Sequence, residues 1–263
     1  MATPEELHDF YAVVPAGGAG TRLWPLSRQG RPKFLLDLLG HGESLLSTTW
    51  QRLLPLSGPH RVLVVTGHDH APAVATDLPQ LAPQNLLVEP SPRDSMAAIG
   101  LAAAVLHERH GEVLIGSFAA DHHVRRPDAF AAAIRQAAVA ARAGYLVTVG
   151  IEADRPATGF GYIRTGDSLH LDDAPEVRLA RGFTEKPDAE TAQEYLRSGE
   201  YRWNAGMFVA TTSLLLDRLA QLLPALHDGL RTIARQWDGP GRAATVARVW
   251  PGLQRIAIDH ALA

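Results

Sequence analysis

The chain has 263 residues, 46% of them hydrophobic, a formal net charge of −3 and no cysteine. That length and apolar content suit a single domain with a substantial core, and the charge excludes global steering toward nucleic acid or an anionic membrane, so any phosphate ligand has to be held by local groups. The lack of cysteine excludes a disulfide framework and thiolate metal sites.

The acidic start, Met1 to Phe10, lacks the basic-then-apolar order of a secretory signal. No apolar run approaches the ~20 residues of a bilayer span. The expectation is a soluble, cytoplasmic protein with no membrane or nucleic-acid partner.

In chain order, Ala12-Val13-Val14 reads as a buried strand running straight into Gly17-Gly18-Ala19-Gly20. Ser44 to Leu53 reads as a helix and Arg61 to Thr66 as a second buried strand. Asn85 to Glu89 is a short strand before the rigid turn Pro90-Ser91-Pro92. Ser95 to His110 is a helix, capped by Asp94 or Ser95 and stopped by Gly111. Val113 to Phe118 is a strand ending in Ala119-Ala120-Asp121. Pro127 opens a helix that continues from Asp128 to Arg142, and Tyr145 to Val149 is another strand.

Beyond Gly150, Gly159 to Thr165 and Val177 to Thr184 read as strands of alternating character. Ala189 to Arg197, capped by Asp188, and Thr212 to Leu223 read as helices. Continuous apolar strands joined by helices imply the α/β class: a Rossmann-like, mixed but mostly parallel sheet with helices on both faces, carrying a small β-rich layer. One domain over residues 1–263 is expected.

The glycine cluster after the first strand lets backbone N–H groups converge on phosphate oxygens; a tight turn without a ligand is the alternative. It lacks the Gly-Lys-Ser/Thr of a P-loop, and Leu23 stands where a dinucleotide fingerprint needs a third small residue, which disfavours a dehydrogenase. Arg22, Arg28 and Lys33 follow, with Pro25 and Pro32 stiffening the loop. Each alone reads as a surface charge, but clustered behind a backbone nest they suit a triphosphate. Asp121, after an apolar strand, falls at the carboxyl edge where open α/β sheets bind ligands, and it is a hard oxygen donor suited to Mg²⁺; a helix cap or turn residue is its other reading. His122 and His123 point opposite ways on an extended segment and read as structural.

Gly17-Gly18-Ala19-Gly20-Thr21-Arg22-Leu23-Trp24-Pro25-Leu26-Ser27-Arg28 and Pro32-Lys33 resemble the signature of the nucleotide-sugar pyrophosphorylases, in the form similar to bacterial mannose-1-phosphate guanylyltransferases. Glu89 to Ser95, Ala119 to His122, Phe183 to Pro187 and Trp203 to Phe208 agree with that resemblance in order. It implies transfer of a guanylyl group from GTP to mannose 1-phosphate, releasing pyrophosphate, with Mg²⁺ as cofactor and a homodimer left open.

By the same resemblance, Ala16, Gly17, Gly18, Ala19, Gly20 and Thr21 would wrap the nucleotide, with catalytic Arg22 and Lys33 on its phosphates. Glu89, Pro90, Arg93, Asp94 and Ser95 would line the base and ribose pocket, and catalytic Asp121 would hold the metal. Gly159, Tyr162, Glu185, Lys186 and Asn204 would hold the sugar phosphate, making the β-rich layer sugar-binding. The family continues past the segment resembling Ala257 to Ala261 into a further metal-binding aspartate and more C-terminal structure, so the expectation is a chain lacking that end. A silent nucleotide-sugar-binding homologue, or the same chemistry on another NTP or sugar phosphate, are the alternatives.

Overall fold

The computed structural model describes residues 6–18, 23–28 and 30–262. Its elements are β1 (Phe10–Ala16), α1 (Leu45–Ser57), β2 (Val62–Gly67), α2 (Ala71–Asp77), β3 (Leu86–Glu89), α3 (Asp94–His110), β4 (Leu114–Ser117), α4 (Pro127–Arg142) and β5 (Val147–Glu152). They continue with β6 (Gly161–Ser168), β7 (Arg178–Glu185), α5 (Ala189–Ser198), β8 (Tyr201–Thr211), α6 (Thr212–Leu222), α7 (Pro224–Ala234), α8 (Arg242–Val249) and α9 (Ile258–Leu262).

The strands form one mixed sheet in the order β3-β2-β1-β4-β8-β6-β7, with β5 also on β8. Its parallel half is β3-β2-β1-β4. Both faces of that half are covered, as the continuous apolar strands require. Val13 of β1 faces a core built from α3, α6 and α7, while Phe10, Ala12 and Val14 face one built from α1 and α4. Among the described residues, no helix is long and apolar enough to cross a membrane.

β8 joins the parallel half to the β-rich layer. Its end, Phe208 to Thr211, pairs antiparallel with β4, and Tyr201 to Trp203 pair with β6. β5 runs beside both parts, with its register shifting between Thr148 and Gly150. Between the two parts, Gly206 adopts φ +64°, a left-handed conformation that glycine reaches without Cβ strain. Tyr162, Ala192 and Trp203 make a small separate core beneath this layer.

The structure adds elements beyond those expected from the sequence. β8 is a long strand where only motif residues stand out in the sequence, and α2, α7 and α8 are helices beyond those expected. The capping of α3 also differs. Arg93 occupies the cap position with no side-chain bond, because Ser95 Oγ instead accepts from Ile258 N at 2.9 Å.

Candidate active site

The parallel strands deliver their carboxyl ends to one edge of the sheet. Gly17 and Gly18 leave β1 there, Glu89 ends β3, and Asp121 follows β4. The short 3-10 turn Lys33–Leu35 carries Lys33 across this edge. Lys33 Nζ lies 2.7 Å from Asp121 Oδ2, both side chains being about one-third exposed. The expected catalytic cation and the expected metal ligand therefore form one ion pair, open to an incoming anion. Ala19, Gly20, Thr21 and Arg22 lie outside the described residues. Gly17 and Gly18 are exposed, whereas Ala16 is buried and its carbonyl accepts from Thr66 Oγ1 at 2.7 Å.

Arg52, which the motifs do not flag, holds the Asp121 turn from below. Its Nη1 donates to the His122 carbonyl at 3.2 Å and its Nη2 to Thr49 Oγ1 at 2.9 Å. No carboxylate pairs with it among the described residues, and burial lowers its pKa to about 10. His122, read from the sequence as structural, also borders a cavity, and burial depresses its pKa.

Glu89 is 4% exposed, and one carboxylate oxygen lies 3.2 Å from where a Cβ on Gly17 would stand. A side chain at residue 17 would crowd this carboxyl group, which would have to shift by a few tenths of an ångström to admit it. The other oxygen is buried without a partner among the described residues. Burial, with the Asp94 charge second, pushes the Glu89 pKa up to about 7, so the group takes up a proton near neutrality.

The turn after Pro90 differs from expectation. Arg93 does not face outward to a ligand; it donates to the Leu253 carbonyl at 3.1 Å and the Pro251 carbonyl at 2.7 Å. Asp94, at φ +59°, lies 3.6 Å from Arg255. Residues 93–95 thus bind the segment leading to α9, and Ser95 also lines the cavity. Pro90 is exposed beside Glu89.

That cavity, of about 310 Å³, lies between β4, β8 and the β-rich layer. Gly159, Glu185 and Asn204, three of the expected sugar-phosphate residues, line it, together with Ser117, His122 and Asp259. Asn204 is fixed on both sides of its amide. Its oxygen accepts from Thr148 Oγ1 and from Gly206 N, each at 3.0 Å, and its nitrogen donates to Asp259. Lys186, at φ +48°, is exposed and ion-paired with Glu185.

Tyr162 is a correction. It is fully buried, its hydroxyl donates to the Ala157 carbonyl at 2.9 Å, and its ring packs on Tyr195. Its side chain supports the cavity wall from behind and does not enter the cavity.

Among the described residues, no three His, Cys, Asp or Glu side chains are grouped to hold a metal. The donor set still suits Mg²⁺. That ion is commonly held by one or two carboxylates with phosphate oxygens and water, and Asp121 is a partly exposed carboxylate at the carboxyl edge of the sheet.

The family model for nucleotidyl transferase matches residues 11–246. The xanthan biosynthesis protein XanB of Xanthomonas campestris pv. campestris (strain ATCC 33913) is 39% identical over 245 residues, covering 92% of this chain and 50% of that protein. The mannose-1-phosphate guanylyltransferase of Escherichia coli K12 is 44% identical over 224 residues, covering 83% of this chain and 46% of that one. A Thermus thermophilus structure described as a mannose-1-phosphate geranyltransferase superposes with TM-score 0.83 at 34% identity, covering 96% of this chain and 70% of that one. The chain spans about half the length of the curated relatives it matches. With a family match across most of its length, and a fold shared with a solved relative, the chain belongs to the nucleotidyl transferase family.

Proposed function

We propose that this chain makes GDP-mannose and pyrophosphate from GTP and mannose 1-phosphate. A phosphate oxygen of the sugar phosphate attacks the α-phosphorus of GTP, a new P–O bond forms, and the bond to the β-phosphate bridging oxygen breaks in line. The observation that carries the reading is the Lys33–Asp121 pair, set beside Gly17 and Gly18 and next to the cavity holding Glu185 and Asn204. Gly17 and Gly18, a cation and a carboxylate are gathered beside a polar cavity.

Such chemistry needs positioning and charge neutralisation more than covalent help. Lys33 neutralises phosphate charge as the two anions meet, and Arg22 is assigned the same work from the motif. Glu89 sits beneath the loop that takes the nucleotide. Glu185 and Asn204 orient the sugar. Asp121 is the described carboxylate that would hold Mg²⁺, which when bound would supply further charge neutralisation. Guanine and mannose as the selected base and sugar rest on the relatives' names and on the sequence resemblance.

Pyrophosphate release, measured over a panel of nucleoside triphosphates and sugar 1-phosphates with Mg²⁺, tests the reading. Release that requires both GTP and mannose 1-phosphate supports it. Preference for another pair changes the substrates, and no release with any pair removes the activity.

A further inference from the structure

We infer that Asp259 is a specificity-determining residue that accepts hydrogen bonds from hydroxyl groups of the sugar in the cavity, an inference that rests on the sugar-phosphate transfer proposed above. The sequence motifs give Asp259 no sugar contact, because it lies in the short helix α9, some 55 residues from Asn204. Three ties bring it to the cavity. Ser95 Oγ accepts from Ile258 N, Met96 N donates to the Ile256 carbonyl, and Arg93 grips the carbonyls of Pro251 and Leu253. Helix α9 is thereby fastened to the start of α3, and Asp259 is delivered to the cavity that Gly159 and Glu185 also line.

The electrostatics of the cavity decide how the ligand lies in it. Glu185 is neutralised by Lys186. Asp259 receives only the neutral amide of Asn204, and no described residue donates to its second oxygen. A half-buried carboxylate with a neutral partner and an open oxygen calls for further donors and repels a phosphate. A hexose 1-phosphate satisfies both conditions in one orientation. Its hydroxyl groups turn toward Asp259 and Asn204, and its phosphate turns toward the Lys33 side, past His122. The Asn204 amide is kept from turning over to replace Asp259 as the acceptor, because the Gly206 N–H donates to its oxygen.

The variant Asp259→Asn separates reading a hydroxyl from merely holding Asn204. An amide oxygen at residue 259 still accepts from Asn204 and keeps the shape, while the charge on the open oxygen is lost. The experiment compares kcat/KM of the parent and Asp259→Asn for mannose 1-phosphate and its 2-, 3-, 4- and 6-deoxy analogues at saturating GTP and Mg²⁺. Calorimetric binding of GTP by both proteins is the control for folding. The expected result is that the parent rejects at least one deoxy analogue by about tenfold to a hundredfold, as for a charged hydrogen bond to a substrate hydroxyl. In Asp259→Asn that ratio shrinks to within about threefold of unity, with mannose 1-phosphate KM raised and GTP affinity unchanged. Equal losses on all sugars, unchanged discrimination, or a raised Mg²⁺ requirement without change in sugar discrimination each overturn the inference. A parent that transfers to no sugar phosphate overturns the proposed function itself, a result distinct from all of these.

Discussion

Lys33 and Asp121 are 88 residues apart in the chain, yet Lys33 Nζ meets Asp121 Oδ2 at 2.7 Å across the carboxyl edge of the sheet. The pair is about one-third exposed on each side, so its contribution to stability is under about 1 kcal/mol. Its importance is to the reaction. Lys33→Ala is expected to lower kcat for pyrophosphate release on the order of 100-fold or more, through lost electrostatic stabilisation, while the melting temperature moves by only a degree or two. Steady-state kinetics beside a thermal melt check both halves, and near-full turnover would refute the assignment.

Glu89 makes stability depend on pH in a calculable direction. Its folded pKa of about 7 lies above that of an exposed glutamate, so the folded state holds the proton more tightly than the unfolded chain. The resulting stability is present below the unfolded value and is lost as pH rises toward and through 7. Glu89→Gln, which cannot ionise, should therefore gain stability relative to the parent on going from pH 5 to pH 8, on the order of 1–3 kcal/mol. Denaturant unfolding of both proteins at the two pH values measures this; an equal difference at both would mean that Glu89 does not titrate as described.

Arg93 joins the nucleotide-side turn to the segment before α9 through two main-chain carbonyls. Arg93→Ala leaves both unsatisfied and is expected to destabilise the protein by about 1–3 kcal/mol. It should also raise the KM for the sugar phosphate, because Asp259 and Asn204 lose the anchor that aligns them. A denaturation curve with KM values for both substrates checks this. A change confined to the GTP KM would instead support a direct contact between Arg93 and the nucleotide.

Tyr162→Phe tests the opposite correction. The hydroxyl is committed to the Ala157 carbonyl and stays out of the cavity. The expected loss is about 1 kcal/mol of stability, with the sugar-phosphate KM within about twofold of the parent. A tenfold rise in that KM would return Tyr162 to the ligand.

The α/β architecture is legible in the sequence because β1 and β2 are continuous apolar runs and α3 stops at Gly111 as its sequence indicates. Lys33 and Asp121 are legible for a similar reason: one follows a glycine nest and the other ends an apolar strand. The strand β8 is not, since Arg202 and Asn204 interrupt its apolar residues and Gly206 reads as a break, although its left-handed φ only turns the strand between two partners. Helix α7 does carry a signal in Pro224 followed by Leu226, Leu230 and Ile233, all three apolar residues buried in the core on α3. The side chains of Arg93 and Tyr162 turn to main-chain carbonyls and away from the expected ligands, because a motif states which residue is present and not which way its side chain points. Arg52, and the place of Asp259 beside the cavity, escape a sequence reading because each residue reaches the site only through tertiary contacts, with the His122 carbonyl and with Asn204.

The most direct test of the account is sugar-phosphate-dependent pyrophosphate release from GTP with Mg²⁺, run in parallel on the parent and on Lys33→Ala. Release by the parent is expected only when both substrates are present, with a fall on the order of 100-fold in the variant, its fold intact. A parent that releases no pyrophosphate with any sugar phosphate, or a variant as fast as the parent, would contradict it.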